Sequence, residues 1–135
     1  MPFIEWTQQH SVAVPEMDEQ HRRLFDLTND LHEAMRLGKG RAKLESALGQ
    51  LTTYTVQHFS AEEQLMKRLA YPQLGEHIVE HRRLVQQVED LRRKLADGEA
   101  VLSMEVMDFL RDWLNNHIMG TDTKYSTFAP SSKIQ

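Results

Sequence analysis

Five of the seven histidines in this 135-residue chain lie on apolar helical faces, next to two carboxylates. Burying one polar group without a partner costs about 1–3 kcal/mol, and an unpaired carboxylate costs far more. The combined cost of burying all these groups would exceed a typical net stability of about 5–15 kcal/mol unless a cation pairs with them. The candidate metal ligands are His21, His58, Glu62, His77, His81, His117 and Asp122.

The spacing of these residues supports one shared site. His58 and Glu62 are four residues apart, as are His77 and His81, so each pair lies on one face of a helix. A single histidine on an apolar face is more often an ordinary core residue that is hydrogen-bonded to a backbone carbonyl. The joint occurrence of five such histidines with two carboxylates favours a metal site instead.

The last two candidate ligands need an irregular backbone. His117 and Asp122 are five residues apart, which separates them by about 140° around a regular helix. We expect the helix to loosen, to widen into a π-like turn or to end here, so that both can reach one site. The remaining histidines, His10 and His32, lie off the apolar faces. We expect them at the surface or outside the ligand set.

The ligand types limit the choice of metal. The chain has no cysteine, so only nitrogen and oxygen ligands remain. Imidazoles with a few carboxylates suit iron, zinc or copper, whereas calcium and magnesium prefer oxygen. Seven ligands exceed one mononuclear site, so two ions are implied. If two six-coordinate ions share bridging carboxylates and one bridging oxygen atom, about one position stays open. This count favours iron that binds dioxygen.

Four segments with apolar steps of three and four residues predict four helices and no strand. The short connections between them favour an all-α, up-down-up-down antiparallel four-helix bundle. We expect one domain over residues 1–135, with an ordered N-terminal arm at 1–16 and a polar tail at 131–135. The four predicted segments are 17–37, 41–69, 73–97 and a last helix from about residue 103.

Composition excludes several classes of function. With 16 basic and 20 acidic residues, the chain has no basic surface suited to nucleic acid. Its N-terminus does not resemble a signal peptide, and no stretch approaches the roughly 20 apolar residues that cross a bilayer. We therefore expect a soluble, cytoplasmic protein that binds neither nucleic acid nor membrane. No apolar face is left for a partner helix, which favours a monomer.

Taken in order, the motifs resemble those of the hemerythrins, and most closely the single-domain bacteriohemerythrins. The resemblance runs from about Ile4 to Tyr125. Each motif is weak alone, but the ordered set is specific. The four motifs are VPEMDEQH at 14–21, HFSAEE at 58–63, HIVEH at 77–81 and HIMGTD at 117–122.

The resemblance implies two non-heme iron ions as the cofactor. They would be bridged by an oxo or hydroxo group and by two carboxylates, Glu62 and Asp122. One iron would bind three histidines, namely His77, His81 and His117. The other would keep an open position for dioxygen as ligand and would bind His21 and His58.

The surroundings of this site are expected to be dry. Glu63 follows a proposed bridge but points about 100° away on the helix, so we expect it to be a solvated partner. An apolar wall would exclude water and slow oxidation of the centre. The candidate wall residues are Phe59, Met66, Trp113, Leu114 and Ile118.

The function predicted from these features is reversible dioxygen binding by a carrier, store or delivery protein that is not an enzyme. An oxygen-consuming enzyme is a candidate recipient. The alternatives are a di-iron oxidase, a peroxidase, a nitric-oxide-handling protein, an oxygen sensor and a metal store. No feature marks an organic substrate pocket, which disfavours the enzymes. A sensor would be expected to carry an output domain.

Overall fold

The computed structural model describes residues 3–12, 14–38, 40–97, 104–122 and 124. Within these residues the chain forms four long α-helices and two short helical segments, and no strand occurs. The short segments are a 3-10 turn at Gln8–His10 and a π-helix at His117–Asp122. The long helices are α1 at Pro15–Arg36, α2 at Arg41–Arg68, α3 at Leu74–Ala96 and α4 at Met104–Asn116.

Helix α2 contacts both α1 and α3, and α1 also contacts α4. Helix α2 follows α1 after four residues, and α3 follows α2 after a similarly short connection, so consecutive helices run in opposite directions. The all-α four-helix bundle expected from apolar periodicity is therefore confirmed. That residues 1–135 form a single domain stays a prediction, and the polar tail lies outside the described residues.

Two helix boundaries follow from local backbone chemistry. Helix α1 starts at Pro15, whose missing N–H is no loss at the first helical position, so the arm is slightly shorter than predicted. At the end of α2, Ala70 adopts a positive φ of 54°. This lets the Tyr71 N–H donate to the Met66 carbonyl at 3.0 Å, as in a Schellman motif. The turn points Tyr71 back into the protein, where it is buried.

The core consists of two apolar clusters. The larger one fills the bundle with the leucines that the sequence pattern placed on inward faces, such as Leu24, Leu48 and Leu84. The smaller one closes the end of the bundle where the arm meets α1 and α2. It contains Val12, Val14, Met17, Leu65, Met66 and Tyr71.

The N-terminal arm is tied to the bundle by hydrogen bonds. The Ile4 N–H donates to Asn29 Oδ1 at 2.9 Å, and Asn29 Nδ2 donates to the Ile4 carbonyl at 2.8 Å. His10 accepts the Thr7 N–H at Nδ1, so its Nε2 carries the hydrogen that bonds Asn115 Oδ1 at 2.8 Å. His10 is thus buried rather than at the surface, and it fastens the arm to α4.

None of the helices in the described ranges has the length and apolar character needed to cross a membrane.

Candidate metal centre

Six of the seven predicted ligands meet inside the bundle, at the end where α1 and α3 begin and where α2 and α4 finish. All six side chains are nearly inaccessible to solvent, with 0–4 % of their surface exposed. Helices of alternating direction are what bring these chain positions to one end. The residues are His21, His58, Glu62, His77, His81 and His117.

Glu62 lies at the middle of this cluster, and its two oxygens face different histidines. Its Oε1 lies 3.1 Å from His81 Nε2 and 3.4 Å from His77 Nε2. Its Oε2 lies 3.3 Å from His21 Nε2 and 3.7 Å from His58 Nε2. One carboxylate therefore joins two sets of imidazoles.

His117 completes the first of these sets. Its Nε2 lies 3.2 Å from His77 Nε2 and 3.1 Å from His81 Nε2. Glu62, His77, His81 and His117 each offer one donor atom, and those atoms all lie within 4.8 Å of one another. The same is true of His21, His58 and Glu62. We refer to His77, His81 and His117 as the three-histidine group, and to His21 and His58 as the two-histidine group.

Three of the rings are braced from outside by hydrogen bonds at Nδ1. Each acceptor is a carboxylate or amide oxygen, which can only accept, so each Nδ1 carries the hydrogen. In the neutral ring the inward-facing Nε2 then presents a lone pair. The pairs are His58 with Gln20 at 2.7 Å, His81 with Glu63 at 2.8 Å and His117 with Glu80 at 3.0 Å.

Lone pairs that converge on a carboxylate repel it unless a positive charge lies between them. The positive charge can be a second proton on the rings or a metal ion. A divalent metal replaces several such protons at once, and histidine nitrogen and carboxylate oxygen both suit iron. The residues present therefore fit a metal centre on the chemistry of their donor atoms.

The Glu62 carboxyl group is fully buried, which by itself would raise its pKa. In the absence of a metal, a second proton gives the His58 ring a positive charge, which acts in the opposite direction. When the inward Nε2 atoms of His21, His77 and His81 also carry protons, their hydrogen bonds add to this effect and hold the pKa of Glu62 well below its usual range. Glu62 is therefore an anion at neutral pH, ready to bind a cation.

Aromatic rings fix the orientation of two histidines in the three-histidine group. Phe59 stacks on His81 with ring centroids 3.7 Å apart and an interplanar angle of 1°. Trp113 stacks on His117 at 4.3 Å and 15°. Together with the braces at Nδ1, these contacts hold both Nε2 atoms toward Glu62.

An apolar cavity of about 30 Å³ lies beside the cluster, and Phe59, Trp113 and Leu114 form part of its wall. Three threonines also line it, namely Thr28, Thr52 and Thr55. Each threonine hydroxyl donates to a carbonyl of its own helix at 2.7–2.8 Å, so these hydrogens are not available to a molecule in the cavity. A buried water typically needs about 2–4 polar partners, so the cavity suits a small apolar molecule better than water.

The structure bears on two expectations about this region. The π-helix at His117–Asp122 confirms the predicted widening, and its i to i+5 bonding brings backbone position 122 one turn after 117. The side chain of Asp122 lies outside the part of the chain that the structure describes. Glu63 is a partly exposed partner of the cluster, as expected, with 28 % of its side chain exposed. Its carboxylate bonds His81 because that ring directs Nδ1 toward the side of α2.

The fold and the site together define a class of protein: an α-helical bundle that buries a cluster of non-heme ligands suited to two metal ions. Residues 12–129 match the family model for the hemerythrin HHE cation binding domain. The chain belongs to the hemerythrin family. Membership implies a non-heme di-iron cofactor and dioxygen binding, and the histidine and glutamate cluster fits that cofactor.

Individual relatives agree with this assignment. The chain is 36 % identical to a bacteriohemerythrin of Methylococcus capsulatus over 93 % of its own length and 95 % of the relative. It is 34 % identical to a hemerythrin-like protein of Naegleria gruberi over 92 % and 91 % of the two chains. A crystal structure of wild-type hemerythrin superposes with a TM-score of 0.88 at 35 % identity, covering 93 % of this chain and 96 % of the other.

Proposed function

We propose that this chain binds dioxygen reversibly at its di-iron centre and acts as an oxygen carrier, store or delivery protein. The observation that carries this proposal is the position of Glu62, which offers one oxygen to each histidine group. A single buried carboxylate between two sets of imidazoles is suited to bridging two ions. The unequal groups, with three and two histidines, would leave a ligand position open on the ion held by the two-histidine group.

The ligand assignment is part of this proposal. The three-histidine group would hold one iron, and the two-histidine group would hold the other. Glu62 and Asp122 would be the carboxylates shared by the two ions, together with an oxo or hydroxo group. When bound, the iron pair supplies the electrons that dioxygen accepts. The protein itself holds the rings in place, supplies a buried negative charge and excludes water.

The apolar surroundings favour reversible binding over turnover of a substrate. Leu114, Ile118 and Met66 are all buried, at 8 %, 1 % and 0 % exposure. The cavity beside the cluster is also apolar and offers few polar groups to orient an organic substrate. We propose that the chain acts as a monomer and passes oxygen to an oxygen-consuming enzyme.

The test is an anaerobic spectroscopic titration of the reduced, iron-loaded protein. We expect a charge-transfer absorption band to develop when dioxygen is added and to disappear when the gas is removed, over several cycles. A reduced protein whose spectrum does not respond to dioxygen would contradict the proposal. Turnover of peroxide or nitric oxide far above that of free iron, without a reversible band, would favour an enzyme instead.

Replacing Leu114 by serine is expected to leave the iron content unchanged but to speed autoxidation by about 10-fold, because the hydroxyl admits water beside the centre. The decay of the oxygenated spectrum measures this rate. Leu95→Ser is the matched control, since it buries the same hydroxyl elsewhere in the core. Equal autoxidation rates for Leu114→Ser and the wild type would disprove the role of a dry wall.

Removing the metal is expected to lower the melting temperature by on the order of 10 °C. A ligand present at 1,000 times its dissociation constant stabilises the folded state by about 4 kcal/mol. Without it, the histidine lone pairs and the Glu62 carboxylate must be compensated by protons. Thermal unfolding before and after treatment with a chelator measures the difference. Identical melting temperatures would show that the cluster holds no stabilising metal.

A further inference from the structure

The braces on the histidines follow a repeated pattern through the bundle. Each brace is the residue directly beside a proposed ligand in sequence, and each reaches a histidine on the next helix along the chain. Gln20, beside His21 on α1, bonds His58 on α2. Glu63, beside Glu62 on α2, bonds His81 on α3. In the same way Glu80, beside His81 on α3, bonds His117 in the π-helix that follows α4.

The chemistry of the braces is not the same at the two histidine groups. The three-histidine group receives two carboxylates, Glu63 and Glu80. The brace observed on the two-histidine group is the neutral amide of Gln20. A carboxylate that accepts the hydrogen of a ligand imidazole makes the opposite nitrogen more basic and so strengthens its bond to a metal. An amide oxygen does this less, because it carries no net charge.

The effect of Glu63 and Glu80 on the metal sites does not come from their surface charge alone. The side chains of Glu63 and Glu80 are 28 % and 43 % exposed, so solvent screens their direct Coulomb interaction with the centre. The hydrogen bonds to buried nitrogens at 2.8 and 3.0 Å are not screened in this way. The braces therefore act through the imidazole rings that they hold.

We propose that Glu63 and Glu80 are positioning residues that make the three-histidine group the tighter of the two metal sites. This inference rests on the ligand assignment made above. The three-histidine group fills first as metal is added, and the two-histidine group, braced by Gln20, fills second and releases its ion first. The order of loading is thus set by residues that do not themselves bind metal.

The experiment is a calorimetric titration of the metal-free protein with Zn²⁺ in the presence of a competing chelator, at constant pH. The wild type should bind two ions in two resolved steps. Glu63→Gln and Glu80→Gln should each weaken the first step by about 10-fold, while leaving the second nearly unchanged. Gln20→Glu should do the opposite and strengthen the second step. This gain also tests the inference if a glutamine variant folds poorly.

Glu76→Gln is the matched control, because it removes an exposed carboxylate one turn before Glu80 on α3. It should leave both steps at their wild-type affinities. Two steps of equal affinity in the wild type would overturn the inference, and so would a first step that neither Glu63→Gln nor Glu80→Gln weakens. An equal loss in Glu76→Gln would also overturn it, since general surface charge would then be the cause. Because Zn²⁺ loading needs no dioxygen, a protein that shows these steps but no oxygen response contradicts only the proposed function.

Discussion

Replacing Glu62 by glutamine is expected to reduce the metal content from two ions per chain to at most one, and to weaken the binding of that ion at least 100-fold. Glutamine has the same size, so the packing of the bundle is preserved. Its amide nitrogen has no lone pair for a metal, and the buried negative charge is lost. One histidine group then lacks its oxygen ligand, and both lose the anion that balances the metal charge.

Metal analysis after dialysis against excess iron measures the effect of Glu62→Gln. Glu63→Gln is an informative comparison, since it changes the next residue in the same way. It removes a brace instead of the shared carboxylate, so it should still hold two ions at saturating metal. A Glu62→Gln protein that binds two ions with wild-type affinity would exclude a bridging role for this residue.

Replacing His77 by alanine is expected to leave the chain with no more than one ion and with no response to dioxygen. This change removes one of the three nitrogens that lie within 4.8 Å of one another and of a Glu62 oxygen. The space left behind can admit water, but water is a weaker and unanchored ligand. The measurements are the iron content and the absorption spectrum with and without air.

His32→Ala is the matched control for His77→Ala. His32 stacks on Phe3 with ring centroids 4.2 Å apart and takes no part in the ligand clusters found in the described residues. We expect it to retain two ions and the wild-type spectrum. If His77→Ala also retained two ions, the three-histidine group would not be a metal site.

The inward-facing ligands could be predicted because helix periodicity alone determines which residues share a face. His58 and Glu62 are four residues apart and follow an apolar series, so their burial follows from the geometry of one helix. The five-residue step from His117 to Asp122 likewise predicted a break in regular geometry, and the π-helix supplies it. These inferences needed no knowledge of how the helices pack against one another.

The outer residues could not be predicted in the same way. Glu63 and Glu80 lie beside the inward faces, and their roles depend on how neighbouring helices are rotated about their axes. The pattern within one helix does not contain that rotation. The signal available in the sequence was a polar residue directly next to a ligand, and such residues are also common on solvated faces. His10 escaped prediction for a similar reason, since its partner Asn115 is 105 residues away.

Anomalous diffraction at the iron absorption edge, from crystals of the loaded protein, tests most directly whether one buried carboxylate joins two ions. Two peaks should lie inside the bundle, one among His77, His81 and His117 and the other beside His21 and His58. Glu62 should contribute one oxygen to each. A single peak, or two peaks that Glu62 does not connect, would contradict this account.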